Sequence, residues 1–511
     1  MIGVPIAFMP VRHKTAPSRT AACFPRRGYR PREAHATLRR VVRVSSQGPL
    51  SEQLRLALVL ASILAVAALV QGASYWPGIM TWDAITQYDQ AVEGAFDDWH
   101  PPVMAWLWRQ LIAVHAGPAP MFLLQIALYW SGYGLIVAAA LRRRQPIAAM
   151  LVTACALMPF PVAIMGSVLK DCLMQGCFLV GVGLFAWSRP GRDWPYRIAA
   201  IAFLLMGALL RFNAFMAVVP LLVWILPAYW RSAPWRVAAS TAALGALVLL
   251  AMPTANRLVG AETSHVELSL MIFDLGGITR HSGTDMFPPI GVADPVAVNA
   301  RCYRPDRWDS YSSWGDPPCP INFDRVEAAM ERSGSRPFAT LARAALAHPL
   351  AYAEHRLTHF NLNTRFLVHD EVQGPVPDRA VDNDWHFTVK RGPGLKLINQ
   401  LTGWSIHSPL GWPIWWIALA AGLLVLSPAL PSRSLVAPLS LSALFYGLGY
   451  LPFSVSSELR YHLWTITCAA IAASFACSDF FTSARVSRGR LMASLAPAIA
   501  VGLLCALWRL S

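Results

Sequence analysis

Apolar residues run through this chain in long blocks, not at the two-residue period of a half-buried strand or the 3.6-residue period of a surface helix. A helix of about 20 mainly apolar residues crosses the hydrocarbon of a bilayer. The pattern predicts about eleven such spans, at 54–73, 119–141, 146–166, 172–188, 197–211, 214–230, 236–254, 409–427, 435–453, 461–478 and 491–508. Between the fifth and sixth, the break from Arg211 to Asn213 leaves a re-entrant turn open as an alternative. The polar residues between blocks are sorted by side. Arg142-Arg143-Arg144, then Arg189, Arg192 and Arg197, then Arg231 and Arg236, then Arg433, then Arg485, Arg488 and Arg490 occupy alternate short loops. Basic residues mark cytoplasmic loops, so the N-terminus is expected inside. From Leu56 to Trp108 there is no Lys or Arg, yet Asp83, Asp89, Glu93, Asp97 and Asp98 all fall there.

The expected fold class is therefore an all-α polytopic integral membrane protein. It would comprise a basic tail (1–52), an N-terminal transmembrane module (53–255) with an acidic first outer loop (73–102), a long outer segment (256–408) and C-terminal transmembrane helices (409–511). The long segment is polar and partly helical, with apolar residues at helical spacing between Arg336 and Asp370.

Composition sharpens this. Of 511 residues, 55% are hydrophobic and 14% charged, with a mean hydropathy of +0.42. Soluble domains carry about 25% charge, so an ordinary soluble enzyme and a disordered scaffold are both excluded. The net charge of +15 would suit a nucleic-acid binder, but eleven basic residues against two acids lie within residues 1–55. That stretch lacks the apolar core and cleavage site of a secretory signal. It reads as a disordered cytoplasmic tail, or as sequence upstream of the true start. Membrane lipids, not nucleic acid, are the expected surroundings. Of nine cysteines, only Cys302 and Cys319 lie in the long outer segment. Two cysteines alone in an oxidising compartment are expected to pair, with two separate thiols as the alternative.

Ionisable residues beside membrane spans are costly to desolvate and are the first candidates for function. With the N-terminus inside, four groups meet one outer face: Asp83, Asp89, Asp97, Asp98 and His100 of the first loop, Lys170-Asp171, Arg211 with Asn213, and Glu458 with Arg460. A carboxylate there is placed to act as general base on a hydroxyl. Lys170, Arg211 and Arg460 are suited to hold a phosphate, which gains charge as it leaves. The plainer readings are solvated loop acids for Asp97 and Asp98, a loop residue for His100, interfacial ion pairs for Lys170–Asp171 and Glu458–Arg460, and a snorkelling Arg211. His348, His355 and His359 have near-helical spacing without a Cys or acid to complete a metal set. The chain has no Walker motif, dinucleotide fingerprint, HExxH or GxSxG.

An Asp soon after the first span, here Asp83, followed by His100-Pro101-Pro102 before the next apolar segment, resembles the GT-C superfamily of membrane glycosyltransferases. The branch is the bacterial one similar to protein O-mannosyltransferases and lipid A aminoarabinose transferases. Lys170-Asp171, Arg211-x-Asn213 and HPLAYAEHRLTHF (348–360) also resemble segments of bacterial members. The resemblance implies a polyprenyl-phosphate-sugar donor, an acceptor glycan, lipid or protein on the periplasmic face of the inner membrane, and inversion with Asp83 as base. His100 and Asp171 join it as catalytic candidates, Lys170, Arg211 and Arg460 as donor-phosphate ligands, and Asp89, Asn213 and Glu458 in support. Several members carry a second acid directly after the first; position 84 here is Ala, which leaves that part to Asp89 or Asp171. Some members bind a divalent ion at these acids and others do not, so Mg or Mn stays open. Three other classes compete, one of them a structural or assembly protein with no catalysis, for which the alignment of these charges on one face would be coincidence. An O-antigen ligase or polymerase shares the topology and arginines but depends less on an acidic first loop. A transporter or flippase would show midplane charges and an internal repeat, and the sequence displays neither clearly.

Overall fold

The computed structural model describes residues 48–188, 193–315, 317–369, 376–482 and 485–511; the expected tail lies almost wholly outside them. The chain divides into Met1–Leu54, of which only the start of the first helix is described, and Arg55–Ser511.

The regular structure described is helical, with isolated bridges pairing Ile79 with Ser167, Asp97 with Glu262 and Arg307 with Ser456. In chain order the helices are α1 (Gly48–Tyr75), α2 (Trp82–Glu93), α3 (Val103–Ile112), α4 (Ala119–Arg142), α5 (Pro146–Ala156), α6 (Pro159–Ile164), α7 (Lys170–Trp187), α8 (Trp194–Ala208), α9 (Ala214–Ile225) and α10 (Pro234–Val259). The long segment that follows adds α11 (Glu267–Ser282), α12 (Pro295–Cys302), α13 (Phe323–Ser333), α14 (Pro337–Ala347), α15 (Pro349–Thr364) and α16 (Pro393–Ile406). The chain ends with α17 (Pro413–Leu426), α18 (Arg433–Phe453), α19 (Leu463–Thr482) and α20 (Arg488–Leu510).

Among the described residues, six helices are long and apolar enough to cross a membrane: Glu52–Tyr75, Ala119–Arg142, Pro234–Val259, Arg433–Phe453, Leu459–Thr482 and Arg488–Leu510. This all-α, multi-span architecture is the expected class, but several expected spans are shorter than the apolar blocks. Proline is the main reason. Pro159 starts a new helix two residues after α5 ends, so 146–166 is two helices and not one. Block 214–230 stops at Ile225, just ahead of Pro227.

Helix α7 is buried on nearly every face, which the sequence allows because glycines line its contact with α4. Gly176 meets Leu128, Gly183 meets Leu135, and Gly132 of α4 meets Leu179. Small residues let two backbones approach closely where no hydrophobic effect drives helices together.

Two backbone devices hold the segment that follows α1 against the start of α7. Ile79 donates its N–H to the Gly166 carbonyl at 3.0 Å and accepts from Val168 at 2.9 Å. Gln125 of α4 donates to the carbonyls of Met165 at 3.0 Å and Ser167 at 2.6 Å, pinning the chain just before Lys170. The approach requires Gly166, whose missing side chain is replaced by the ring of Tyr75. Gly78 (φ 110°) makes the preceding turn in a conformation that other residues rarely adopt.

The segment between α10 and α16 builds its own core from α11 to α15, around Phe273, Tyr311, Ile321 and Val326, with Trp99 and Val455 packed against it. Its centre is ionic. Buried Asp274 accepts from His355 Nε2 at 3.0 Å and pairs with Arg356, while His355 Nδ1 meets the Tyr303 hydroxyl at 2.9 Å.

Gly166→Val should overpack the Tyr75 contact and loosen the loop before α7, a cost of about 1–3 kcal/mol for a forced methylene insertion. Thermal unfolding of the purified protein measures it; an unshifted midpoint would show that the contact does not constrain the fold.

Candidate functional site

Asp83 sits in the first turn of α2, whose N-cap is Thr81, with its hydroxyl accepting from the Ala84 N–H. A carboxylate at that end is favoured by the helix dipole. Arg460 comes from the far end of the chain, in a short 3-10 turn ahead of α19, and Nη1 reaches Asp83 Oδ2 at 2.9 Å. Lys170, the first residue of α7, lies 3.5 Å from the same oxygen. His100 closes the group: Nε2 is 3.8 Å from Asp83 Oδ1 and Nδ1 is 2.6 Å from Lys170 Nζ. A lysine ammonium only donates, so Nδ1 accepts and the proton of the neutral ring sits on Nε2, facing Asp83. Glu458 grips the opposite side of Arg460 at 2.5 Å.

A second pair lies one residue deeper along α7. Asp171 forms an ion pair with Arg211, which also donates to Asn213 Oδ1 at 3.4 Å. Asp171 is almost fully enclosed, and its Oδ2 finds no hydrogen-bond partner. The ring of Tyr461 joins the two groups, with Arg211 4.5 Å and Arg460 5.5 Å from its centroid. The structure thus brings together Asp83, His100, Lys170, Glu458 and Arg460, and beside them Asp171, Arg211 and Asn213. Asp89 lies apart: it accepts from the Trp385 indole at 2.6 Å, on another face of α2. Asp97 accepts from its neighbour Trp99 N–H, and Asp98 from Ser264, so both shape the loop.

The cluster opens to solvent on one edge. Asp83 is 24% exposed and Glu458 34%, against 11% for Lys170 and 12% for Arg460. Burial pushes the Asp83 carboxyl up, but the Arg460 guanidinium and then the Lys170 ammonium outweigh it and hold the group well below the usual carboxylate range. Burial, followed by the Lys170 charge, pushes His100 down to about 3, so its imidazole is neutral at physiological pH.

Two cations, Lys170 and Arg460, and the neutral His100 ring converge on Asp83. Among the described residues no three His, Cys, Asp or Glu side chains are arranged to hold a metal ion. The histidines of 348–360 are scaffold instead. His359 Nδ1 meets the Pro305 carbonyl at 2.8 Å, and Arg356 donates to the Ser454 carbonyl at 2.6 Å, fixing the strand-like stretch that leads to Glu458.

Cys302 and Cys319 pair as expected, but the sequence did not connect the loop that this disulfide closes to the site. Trp308 donates its backbone N–H to Val455 at 2.8 Å, and Ser457 donates to Asp306 at 2.9 Å. The Trp308 ring lies 5.6 Å from that of Trp99, the residue before His100. One closed loop therefore grips both arms of the site. Its Asp309 stands at the rim, where loss of solvation and repulsion from Glu458 and Asp83 raise its pKa. No sequence motif marks it; the aromatic and acidic density of the stretch is the only signal.

No protein-family model and no curated protein matches the chain. Among solved structures, it is similar to the archaeal oligosaccharyltransferase AglB from Archaeoglobus fulgidus, in complex with an inhibitory peptide and a dolichol-phosphate. Identity is 16% and the TM-score 0.34, over 88% of this chain and 56% of that one. The chain thus spans about half the length of that protein, and a likeness at this level decides nothing by itself.

Burial pushes His359 down to about 3, against an ordinary value of 6.5. Between those values the unfolded chain binds a proton that the folded one refuses, so stability falls as pH drops from 6.5 toward 3 and is unaffected above that range. His359→Gln, which still donates but does not titrate, should shrink the fall in unfolding temperature between pH 7 and 4.5. An unchanged slope would place the acid sensitivity elsewhere.

Proposed function

We propose that the protein is a membrane glycosyltransferase that moves a sugar from a polyprenyl-phosphate donor to an acceptor on the periplasmic face of a bacterial inner membrane. The observation that carries this reading is the Asp83 carboxylate held between Arg460 and Lys170 on a solvent-open edge, with His100 facing it. A base and two phosphate-binding cations are what transfer from a sugar phosphate needs. The acceptor oxygen attacks the anomeric carbon, Asp83 takes the acceptor's proton, and the bond from the anomeric carbon to the phosphate oxygen breaks. Lys170 and Arg460 receive the charge that develops on the leaving phosphate, and Arg211 extends that positive surface. The attack and departure on opposite sides invert the anomeric centre. The neutral His100 ring faces Asp83 and takes no charge of its own.

Mass spectrometry of envelope lipids and glycans tests this, comparing a deletion strain complemented with wild type or with Asp83→Asn. Loss of a general base lowers rate by about 10²–10⁴-fold, so the sugar-sized mass restored by wild type should be absent with the variant. Glu458 still pairs Arg460 and His100 still meets Lys170, so folded protein in membranes should be undiminished. Equal restoration by Asp83→Asn would remove the base; an unchanged profile on deletion would move weight to transport or flipping. Arg460→Ala should weaken binding of undecaprenyl phosphate, and unaltered affinity would remove its phosphate role.

A further inference from the structure

We propose that the disulfide-closed loop between Cys302 and Cys319 forms a carbohydrate subsite at the mouth of the cluster, with the indole of Trp314 as a platform for a pyranose ring of the acceptor and Asp309 as a hydrogen-bond acceptor for its hydroxyls. The inference rests on the transferase reading and deepens it, by naming the acceptor at this site as a glycan.

Trp314 is 63% exposed, yet its position is fixed. Its ring meets Trp308 edge to face at 5.5 Å and 89°, and Trp99 at 6.1 Å and 80°. Trp99 and Trp308 in turn pack on Phe323 at 5.5 and 6.0 Å. Trp308 is almost fully buried, so Trp314 is the solvent-facing member of an aromatic stack. An exposed indole held rigid loses little conformational freedom on binding, and its apolar face suits a flat ligand surface carrying C–H groups. The disulfide and the pairing of Trp308 with Val455 hold this loop against the chain leading to Glu458.

Position ties the platform to the reacting groups. Trp99 precedes His100 directly, and His100 lies beside Asp83 and Lys170. Asp309, five residues before Trp314, is exposed and feels the charges of Glu458 and Asp83. A carboxylate beside an aromatic face is chemistry for sugar hydroxyls. It is poor chemistry for an anionic lipid headgroup, which the Asp309 carboxylate would repel at the loop.

Saturation-transfer NMR on the full chain in lipid nanodiscs tests this, with mannobiose and chitobiose as probes. Wild type should transfer saturation to pyranose ring protons. Trp314→Ala should weaken binding by about tenfold, as truncation of an aromatic anchor does, and Trp314→Phe should restore most of it. Asp309→Asn should weaken it less. The disulfide-linked loop keeps its buried Trp308, so unfolding temperature reports whether Trp314→Ala remains folded. Equal transfer in wild type and a folded Trp314→Ala, or none in wild type for either disaccharide, overturns the subsite. Arg460→Ala separates the two ideas: it should leave disaccharide binding intact while lowering affinity for undecaprenyl phosphate. Sugar binding with no change in envelope glycans on deletion would sink the transferase and leave the subsite standing.

Discussion

A charge at the end of a membrane helix cannot stay unpaired without a large desolvation cost, and in this protein distant segments supply the partners. Asp83 and Arg460 are 377 residues apart in sequence and 2.9 Å apart in space. Asp171 and Arg211 repeat the arrangement one residue further along α7, and Tyr461 lies against both guanidiniums. Satisfying these ions requires the first outer loop, the start of α7, the α8–α9 break and the approach to α19 to converge. Much of the remaining architecture makes that convergence possible. Gln125 and the Ile79 pairing fix one side, while Arg356 and Asn363, which bond the carbonyls of Ser454 and Ser456, fix the other.

The segment from α11 to α15 is thus not an appendage. Its buried Asp274–His355–Arg356 network is expensive to assemble, and breaking one partner of such a set leaves an uncompensated charge. Because Arg356 also holds Ser454, the cost of disturbing the outer core is felt by the chain that presents Glu458 and Arg460. The loop from Cys302 to Cys319 adds a contact to His100 through Trp99.

The sidedness of charge made much of this legible in the sequence. Arginine blocks and an acid-only first loop placed Asp83, Lys170, Arg211 and Arg460 on one face before any coordinates, and the structure brings them into adjacent clusters. What the sequence hid has physical causes. Apolar blocks do not report where proline ends a helix, so α5, α6 and α9 are shorter than the hydropathy pattern. Asp89 stood as a supporting second acid because a loop has no faces; on α2 it accepts from Trp385 instead. His355 and His359 have helical spacing but no partner residue in the sequence pattern, and only the fold shows what they support, Asp274 and the Pro305 carbonyl. Asp309 and Trp314 matter only after their loop docks at Val455, a contact that no local pattern encodes.

Charge balance also bears on how the proposed donor enters. Lys170, Arg211 and Arg460 face Asp83, Asp171 and Glu458, and His100 adds nothing because its ring is neutral. An arriving phosphate makes the site net negative, so one carboxylate must yield its cation. Asp171 is enclosed and bound to Arg211, and Asp83 is shared between Arg460 and Lys170. Glu458 is the most solvent-exposed of the three and has water to receive it. In the proposed reaction Glu458 therefore gives way first, and Arg460 turns part of its charge from carboxylates to phosphate. That same transfer relieves Asp83 of the field that keeps it a weak base. Proton affinity at Asp83 then rises only when a donor is present, which ties the chemistry to occupancy of the site and leaves the empty site with a carboxylate too weakly basic to activate a hydroxyl.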